Sequence, residues 1–225
     1  MINSIIQYIS IFLAILILLP MHEFAHAFVA VKSGDNTPKM YGRYTLNPLA
    51  HFDIFGLVSL LLVRFGWAKP MPINPNNFRH YKTSCFFVSI AGILMNYLLA
   101  FLAYPIFNLM LAYVIPNFNF GFFDDVLLLT FYFIYTIGIS LSVFNLLPLY
   151  PLDGFRAIDV FVKNKYNPVY RFLRLYGRYI LLGLIFLGII ANATGFYYLD
   201  VLGNFINYVG SWFKYPIELF WGLIL

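Results

Sequence analysis

The sequence predicts an all-α integral membrane protein, a polytopic helical bundle that forms a single domain over residues 1–225. Three observations predict this class: 62% of the residues are hydrophobic, only 10% are charged, and the mean hydropathy is +0.80. Soluble domains are about 45–50% apolar and about 25% charged. The aromatic share of 21% indicates rings at the two membrane–water interfaces. The composition therefore excludes an ordinary soluble domain.

Five apolar runs are predicted to be membrane-spanning helices, with four or six spans as alternatives. A helix needs about 20 predominantly apolar residues to cross a bilayer. The runs are Ile5 to about Val31, Ser84–Ile115, Val126–Leu147, Ile180–Ala191 with an extension at its start, and Phe196–Trp212. Pro20 is expected to kink the first helix, which neighbouring helices tolerate in a membrane.

A polar stretch from Lys32 to Lys82 follows the first span and is rich in Gly, Pro and Asn. Such residues favour turns, so we expect a short loop region of β or re-entrant character here. Within it, the apolar run Ile54–Val63 has about ten residues, too few to span a bilayer. It is predicted to be a re-entrant or interfacial segment.

The basic residues predict the orientation in the membrane. The net charge of +5 does not indicate nucleic-acid binding, because most of the basic residues fall in two inter-helical loops, Lys32–Lys82 and Arg156–Arg178. Cytoplasmic loops carry an excess of Lys and Arg. We therefore expect both loops in the cytoplasm and the N-terminus outside. Cys85 is the single cysteine, so no disulfide can form within the chain.

The segment His22-Glu23-Phe24-Ala25-His26 lies inside the first predicted span. In a helix, residues four apart share a face, so both histidines could bind one zinc ion while Glu23 acts as general base on a water. The alternative is two histidines that only line the bundle interior. Ionisable side chains within a span are costly and usually mark function, so the sequence favours a metal site.

A third ligand must come from elsewhere, because catalytic zinc usually takes three protein ligands and one water. Asp153 follows an apolar span within an irregular Pro/Gly segment, and the alternative role for it is the N-cap of a helix Gly154–Val162. His51 and Asp53 could also bind a second metal or form a local hydrogen-bonded pair. The four candidates are His51, Asp53, His80 and Asp153.

The motif His22–His26, taken with Phe144–Pro148 and Pro151–Gly154, resembles the site-2 protease family of intramembrane zinc metalloproteases. Two loop segments, Gly42–Asp53 and Gly66–Pro75, resemble its compact prokaryotic branch, which has no PDZ domain. The resemblance covers roughly residues 15–160, the expected core, and leaves additional C-terminal spans at about residues 172–223.

The resemblance implies that His22, His26 and Asp153 bind one catalytic Zn²⁺ and that Glu23 activates the water. It also implies that Asn145 positions the substrate or stabilises the oxyanion, although a plain interhelical hydrogen bond is an equal alternative. The implied substrate is a membrane protein with a transmembrane segment. The protein would lie in a prokaryotic plasma membrane, with its active site toward the cytoplasm.

The chain departs from the family pattern at two positions. Ile93 stands where the family commonly has proline after the glycine of Ala91–Asn96, and Phe155 stands where many members carry a second glycine. Neither change removes a ligand or the base. Gly92 is expected to permit close helix packing, with Asn96 forming a hydrogen bond across the bundle.

Three functions remain open at this point. The favoured one is an intramembrane zinc metalloendopeptidase that hydrolyses peptide bonds in or near transmembrane segments, which is regulated intramembrane proteolysis. In this role, Trp67 and the nearby prolines could form an edge strand that pairs with extended substrate. The alternatives are a non-proteolytic zinc protein that binds transmembrane helices and a metal or cation transporter. No internal repeat of the kind found in many transporters is visible.

Overall fold

The structure, a computed structural model, describes residues 2–56, 59, 68–117 and 121–225. Six helices organise this part of the chain, and we number them in chain order. They are α1 (Ile2–Lys32), α2 (Tyr81–Leu109), α3 (Phe122–Leu146), α4 (Asp153–Asp159), α5 (Pro168–Thr194) and α6 (Val201–Gly222). Single turns at Thr37–Met40, Pro48–His51, Pro75–Asn77 and Tyr197–Leu199 lie between them, and a π-helical turn, Met110–Val114, continues α2 toward a last turn at Ile115–Asn117.

The prediction of a helical membrane bundle is confirmed in its main feature. Within the described residues, four helices are long and apolar enough to cross a membrane: Ser4–Lys32, Tyr81–Val114, Phe122–Leu146 and Pro168–Thr194. The helix α1 continues through Pro20 without interruption. The sequence predicted five spans, with four as the lower alternative. The predicted span that is missing from these four is the last one, which corresponds to α6.

The helix α6 has 22 residues, enough to cross a bilayer core at 1.5 Å per residue. Polar side chains recur along it every three or four positions and lower its hydropathy: Asn204, Asn207, Ser211, Lys214 and Glu218. It nevertheless packs on the bundle. The Tyr135 hydroxyl on α3 donates to Glu218 Oε1 at 2.8 Å, and the Trp221 indole N–H donates to the Phe101 carbonyl on α2 at 2.9 Å.

The helices α1, α2 and α3 form the centre of the bundle. Their shared core combines small and branched residues, with Ala14 and Leu18 from α1, Ala100 and Ala103 from α2, Ile134, Ile139 and Val143 from α3, and Ile217 from α6. Small residues let helix backbones approach closely in a membrane. At Gly138 a Cβ atom would lie 2.9 Å from the backbone oxygen of Asn96, so α2 and α3 are nearly in backbone contact there.

Asp35 organises part of the loop between α1 and α2. Its carboxylate accepts hydrogen bonds from the backbone N–H groups of Thr37 (3.0 Å) and Asn74 (2.8 Å) and from the Asn77 side-chain amide (2.8 Å). Burial raises the pKa of this carboxyl, but the hydrogen bonds outweigh burial and hold the pKa below its usual value.

The predicted β or re-entrant character of this loop is not confirmed. Among the described residues, the strand-like pairing is an isolated antiparallel bridge between Phe52 and Ala68. Most of the segment Ile54–Val63, and Trp67 with the edge strand predicted there, lie outside the described residues. Those two interpretations remain predictions.

The connection after α3 turns back onto the bundle and is covered by the C-terminal helices. Leu152 clusters with Leu181 from α5 and Leu202 from α6. A Cβ atom on Gly177 would lie 2.8 Å from the backbone nitrogen of Tyr150, so α5 passes directly over this connection. The packing of Leu152 against α5 and α6 holds the backbone in place next to Asp153, the residue that follows it.

Candidate metal centre

His22, His26 and Asp153 come together between the second half of α1 and the start of α4. The Nε2 atoms of the two histidines lie 3.1 Å apart, and Asp153 Oδ2 lies 3.2 Å from His22 Nε2 and 3.1 Å from His26 Nε2. All three residues are buried, with 5–7% of their surface exposed. The motif spacing therefore places both histidines on one face of α1, as predicted.

Asp153 does not serve as a helix N-cap, so the alternative role weighed for it is wrong. It is the first residue of α4, the N-cap is Leu152, and no side chain caps this helix. A Cβ atom on Gly154 would meet the backbone oxygens of Leu146 and Asn145. This close approach folds the start of α4 against the end of α3 and directs the Asp153 carboxylate to the histidines.

The Asp153 carboxylate is kept ionised by its neighbours. Burial raises the pKa of this carboxyl, but the charges and hydrogen bonds of His26 and His22 outweigh burial, and the pKa lies far below its usual value. Arg156, one turn along α4, adds a weaker ion contact of 3.9 Å to Asp153 Oδ1. A carboxylate in this form is ready to act as a metal ligand.

The tautomer of His26 is set by the backbone of α2. His26 Nδ1 lies 2.6 Å from the carbonyl oxygen of Val88, and a carbonyl oxygen only accepts hydrogen bonds. Nδ1 therefore carries a hydrogen, so Nε2, which faces His22 Nε2 and Asp153 Oδ2, is the ring nitrogen available to a metal when the imidazole is neutral. Metal-binding histidines usually have such a partner on the second ring nitrogen.

Gly92 on α2 provides the room for both imidazole rings. A Cβ atom at this position would lie 2.5 Å from His26 Nε2 and 2.6 Å from His22 Nδ1, and would also collide with His22 Cε1. The rings thus pack directly on the α2 backbone. The prediction that Gly92 permits close packing is confirmed. The groups that pack against Gly92 are the side chains of His22 and His26.

The three ligand atoms fit a zinc ion. They lie within 4.8 Å of one another and form the one His/Cys/Asp/Glu group of three or more found among the described residues. Zinc bound tetrahedrally at 2.0–2.1 Å separates its ligand atoms by roughly 3.3 Å, close to the 3.1–3.2 Å observed here. Two imidazole nitrogens and one carboxylate also match the ligands of catalytic zinc.

Glu23 and Asn145, the two residues predicted to be catalytic, are not among the three clustered residues. Glu23 follows His22 directly in α1 and is half-buried. Asn145 is half-buried near the end of α3, where its side-chain amide donates to the carbonyl of Leu141 at 3.0 Å. The catalytic roles of both residues remain predictions.

The other three candidates from the sequence do not join this cluster. His51 is fully buried, and its Nε2–H donates to the Thr45 carbonyl at 2.7 Å. Asp53 accepts a hydrogen bond from the Gly56 backbone at 3.0 Å, and His80 is exposed at the start of α2. Among the described residues, His51 and Asp53 belong to no group of three or more potential metal ligands, and a second metal site there stays a prediction.

Two contacts of the cluster were not predicted. The Val88 carbonyl cannot be identified from the sequence, because any residue supplies such a group. A hydrogen bond of Asn96 across the bundle was expected, but its partner was not. The partner is a residue of the metal cluster itself, since Asn96 Nδ2 lies 3.1 Å from His22 Nδ1. The signal for this contact was an asparagine inside a predicted span, four residues after Gly92.

One curated protein is similar to this chain in sequence, and its name refers to the same chemistry. The chain is 44% identical over 143 residues to a Bacillus subtilis (strain 168) protein named "Putative zinc metalloprotease YwhC". This chain is a homologue of that protein. The matched region spans 62% of this chain and 63% of the relative, which is less than two thirds of the relative's length. No family model matches the chain, and no solved structure does.

Proposed function

We propose that this protein is an intramembrane zinc metalloendopeptidase of the site-2 protease type, which hydrolyses peptide bonds in or near transmembrane segments of membrane proteins. The observation that carries the proposal is the buried group of His22, His26 and Asp153, which stands within a bundle of apolar helices. The homology to a protein named as a zinc metalloprotease supports the same chemistry.

The catalytic roles follow from the residues around the cluster. His22, His26 and Asp153 would hold the zinc ion, which when bound lowers the pKa of a water and polarises a carbonyl group. Glu23 accepts a proton from the attacking water and delivers it to the leaving amine as the C–N bond breaks. Asn145 donates a hydrogen bond to the oxygen on which negative charge develops.

Two apolar grooves on either side of Leu94 of α2 support a hydrophobic segment as substrate. One, of about 390 Å³, lies between α1 and α2 and is lined by Phe24, Ala25, Phe28 and Met95, among others. The other, of about 480 Å³, lies between α2, the end of α3 and α6. Leu94 lines both grooves. An apolar transmembrane segment would fit the lining of either groove.

The proposed location is a prokaryotic plasma membrane, with a single membrane-embedded domain over residues 1–225. Both histidines belong to the half of α1 that ends at Lys32, and Asp153 begins α4, which carries Arg156. Basic residues mark the cytoplasmic side of membrane proteins. We therefore place the metal centre toward the cytoplasm and the N-terminus outside.

The experiment that tests this function compares the wild type with Glu23→Gln in cells and after purification. In cells, membrane proteomics should show single-pass proteins that accumulate uncut in the variant. Purified Glu23→Gln should retain zinc and fail to cleave such a protein in liposomes, whereas His22→Ala should lose zinc. Cleavage by purified Glu23→Gln would refute the proposal. A wild type that binds zinc and cleaves nothing would instead support a binding protein, and metal flux without cleavage would support a transporter.

A further inference from the structure

Asn96 is a fully buried polar residue whose amide nitrogen has a neighbour to bond and whose amide oxygen has none among the described residues. It lies on α2 with none of its surface exposed. Its Nδ2 is 3.1 Å from His22 Nδ1, while its Oδ1 is buried without a hydrogen-bond partner among the described residues. The oxygen and nitrogen of a side-chain amide are assigned from their hydrogen-bond partners, so the ring nitrogen next to Asn96 decides which amide atom faces it.

The two nitrogens of the His22 ring have different neighbours. Nε2 faces His26 Nε2 at 3.1 Å and Asp153 Oδ2 at 3.2 Å, so it is the nitrogen that must offer its lone pair to a metal. Nδ1 must then carry the hydrogen, because a neutral imidazole has one protonated and one free nitrogen. An Nδ1–H group inside the bundle needs an acceptor.

His26 meets the same requirement by donating to the Val88 carbonyl at 2.6 Å. The corresponding neighbour of His22 Nδ1 is Asn96. Half a turn about the last side-chain bond exchanges the oxygen and nitrogen of an asparagine amide, which have nearly the same size and shape. Asn96 Oδ1 would then accept from His22 Nδ1–H without any change in the surrounding packing.

We propose that Asn96 is a positioning residue, which presents its amide oxygen to His22 Nδ1–H and thereby holds His22 Nε2 free for the metal. The inference rests on the zinc site of the proposed function but makes no use of proteolysis. Outer partners of this kind fix the ring orientation and tautomer of metal-binding histidines. If Asn96 instead donated through Nδ2, the hydrogen would be on His22 Nε2, where it would block the metal.

The two possible orientations of the Asn96 amide predict different effects of substitutions at this position. In one the residue accepts a hydrogen bond from His22, and in the other it donates one. An acceptor can be replaced by a carboxylate, which accepts from an imidazole N–H in many metal sites. A donor cannot be replaced in this way, because an ionised carboxylate has no hydrogen to give. Asn96→Asp should therefore preserve the metal site, and Asn96→Leu, which has similar size and no polar atom, should weaken it.

The test measures zinc affinity of purified full-length protein in detergent by competition with a chelator. Asn96→Leu should bind zinc roughly 10–100-fold more weakly than the wild type, and Asn96→Asp should bind within a few-fold of the wild type. The matched control is Asn108→Leu, because Asn108 lies on the same helix and bonds only to the Tyr104 carbonyl at 2.9 Å among the described residues. This control should leave zinc affinity unchanged.

A second measurement separates positioning from folding. ¹⁵N NMR of the histidine side chains in the metal-free protein should show the Nδ1–H tautomer of His22 in Asn96→Asp, and a loss of this preference in Asn96→Leu. If Asn96→Leu does not fold, Asn96→Asp alone decides the question. Equal zinc affinity of Asn96→Leu and the wild type, or a folded Asn96→Asp as weak as Asn96→Leu, would overturn the inference. A wild type without zinc affinity would refute the zinc site and this inference together.

Discussion

Gly92→Ala adds one methyl group to α2 directly against the two histidine rings of the metal cluster. The new Cβ atom would lie 2.5 Å from His26 Nε2 and 2.6 Å from His22 Nδ1. Neither ring is a freely moving side chain, because His26 is bonded to the Val88 carbonyl and His22 to Asn96. We expect Gly92→Ala to lose tight zinc binding while the bundle still folds.

The magnitude follows from the distances. To reach an ordinary contact of about 3.5 Å, the rings or the α2 backbone must move by roughly 0.9–1.0 Å. Metal–ligand distances tolerate only about ±0.2 Å, so the shift is several times what the site can accept. The packing strain costs about 1–3 kcal/mol, which corresponds to a lowered melting temperature rather than an unfolded protein.

The assay measures zinc per protein after purification, zinc affinity by chelator competition, and the melting temperature in detergent. Gly183→Ala on α5 is the matched control, since its Cβ atom would meet nothing within 4 Å. Wild-type zinc affinity in Gly92→Ala, or an equal loss in Gly183→Ala, would refute the reasoning.

Three further predictions concern the parts of the fold that support the site. Gly154→Ala should abolish zinc binding and lower yield, because its Cβ atom would collide with the Leu146 backbone oxygen, which cannot move aside; zinc content after purification checks this. Asp35→Ala should lower the melting temperature at neutral pH. Because the Asp35 pKa is below its usual value, the stabilisation is complete above the ordinary pKa and lost as pH falls, so the difference from wild type should shrink between about pH 5 and pH 2. Tyr135→Phe removes the hydroxyl that donates to Glu218 and should reduce stability by about 1 kcal/mol, with zinc affinity unchanged in the same chelator assay.

The sequence predicted the helical membrane bundle because hydropathy and length depend on local composition. It predicted α6 less well, because the apolar run was expected at Phe196–Trp212, whereas the helix covers Val201–Gly222. Its polar residues lower its hydropathy, yet Tyr135 and Phe101 provide partners for Glu218 and Trp221 on the neighbouring helices. Such partners belong to the tertiary packing and cannot be seen in a window of sequence.

The metal ligands were predictable for two different reasons. His22 and His26 follow from helical spacing alone. Asp153 was one of four candidates by chemistry, and the resemblance to a known family distinguished it. What the sequence could not supply was the closeness of Gly92 to both rings or the Val88 carbonyl that orients His26. These contacts depend on how α1 and α2 are rotated against each other.

The helix α2 therefore determines the metal centre without contributing a ligand to it. It orients His26 through the Val88 carbonyl, contacts His22 through Asn96, and leaves room for both rings at Gly92. These three positions are separated by four residues each, so they lie on one face of the helix. A rotation or shift of α2 would disturb both histidines at once. Since α2 also lines both apolar grooves, a segment bound in either groove would press on the same helix that positions the ligands.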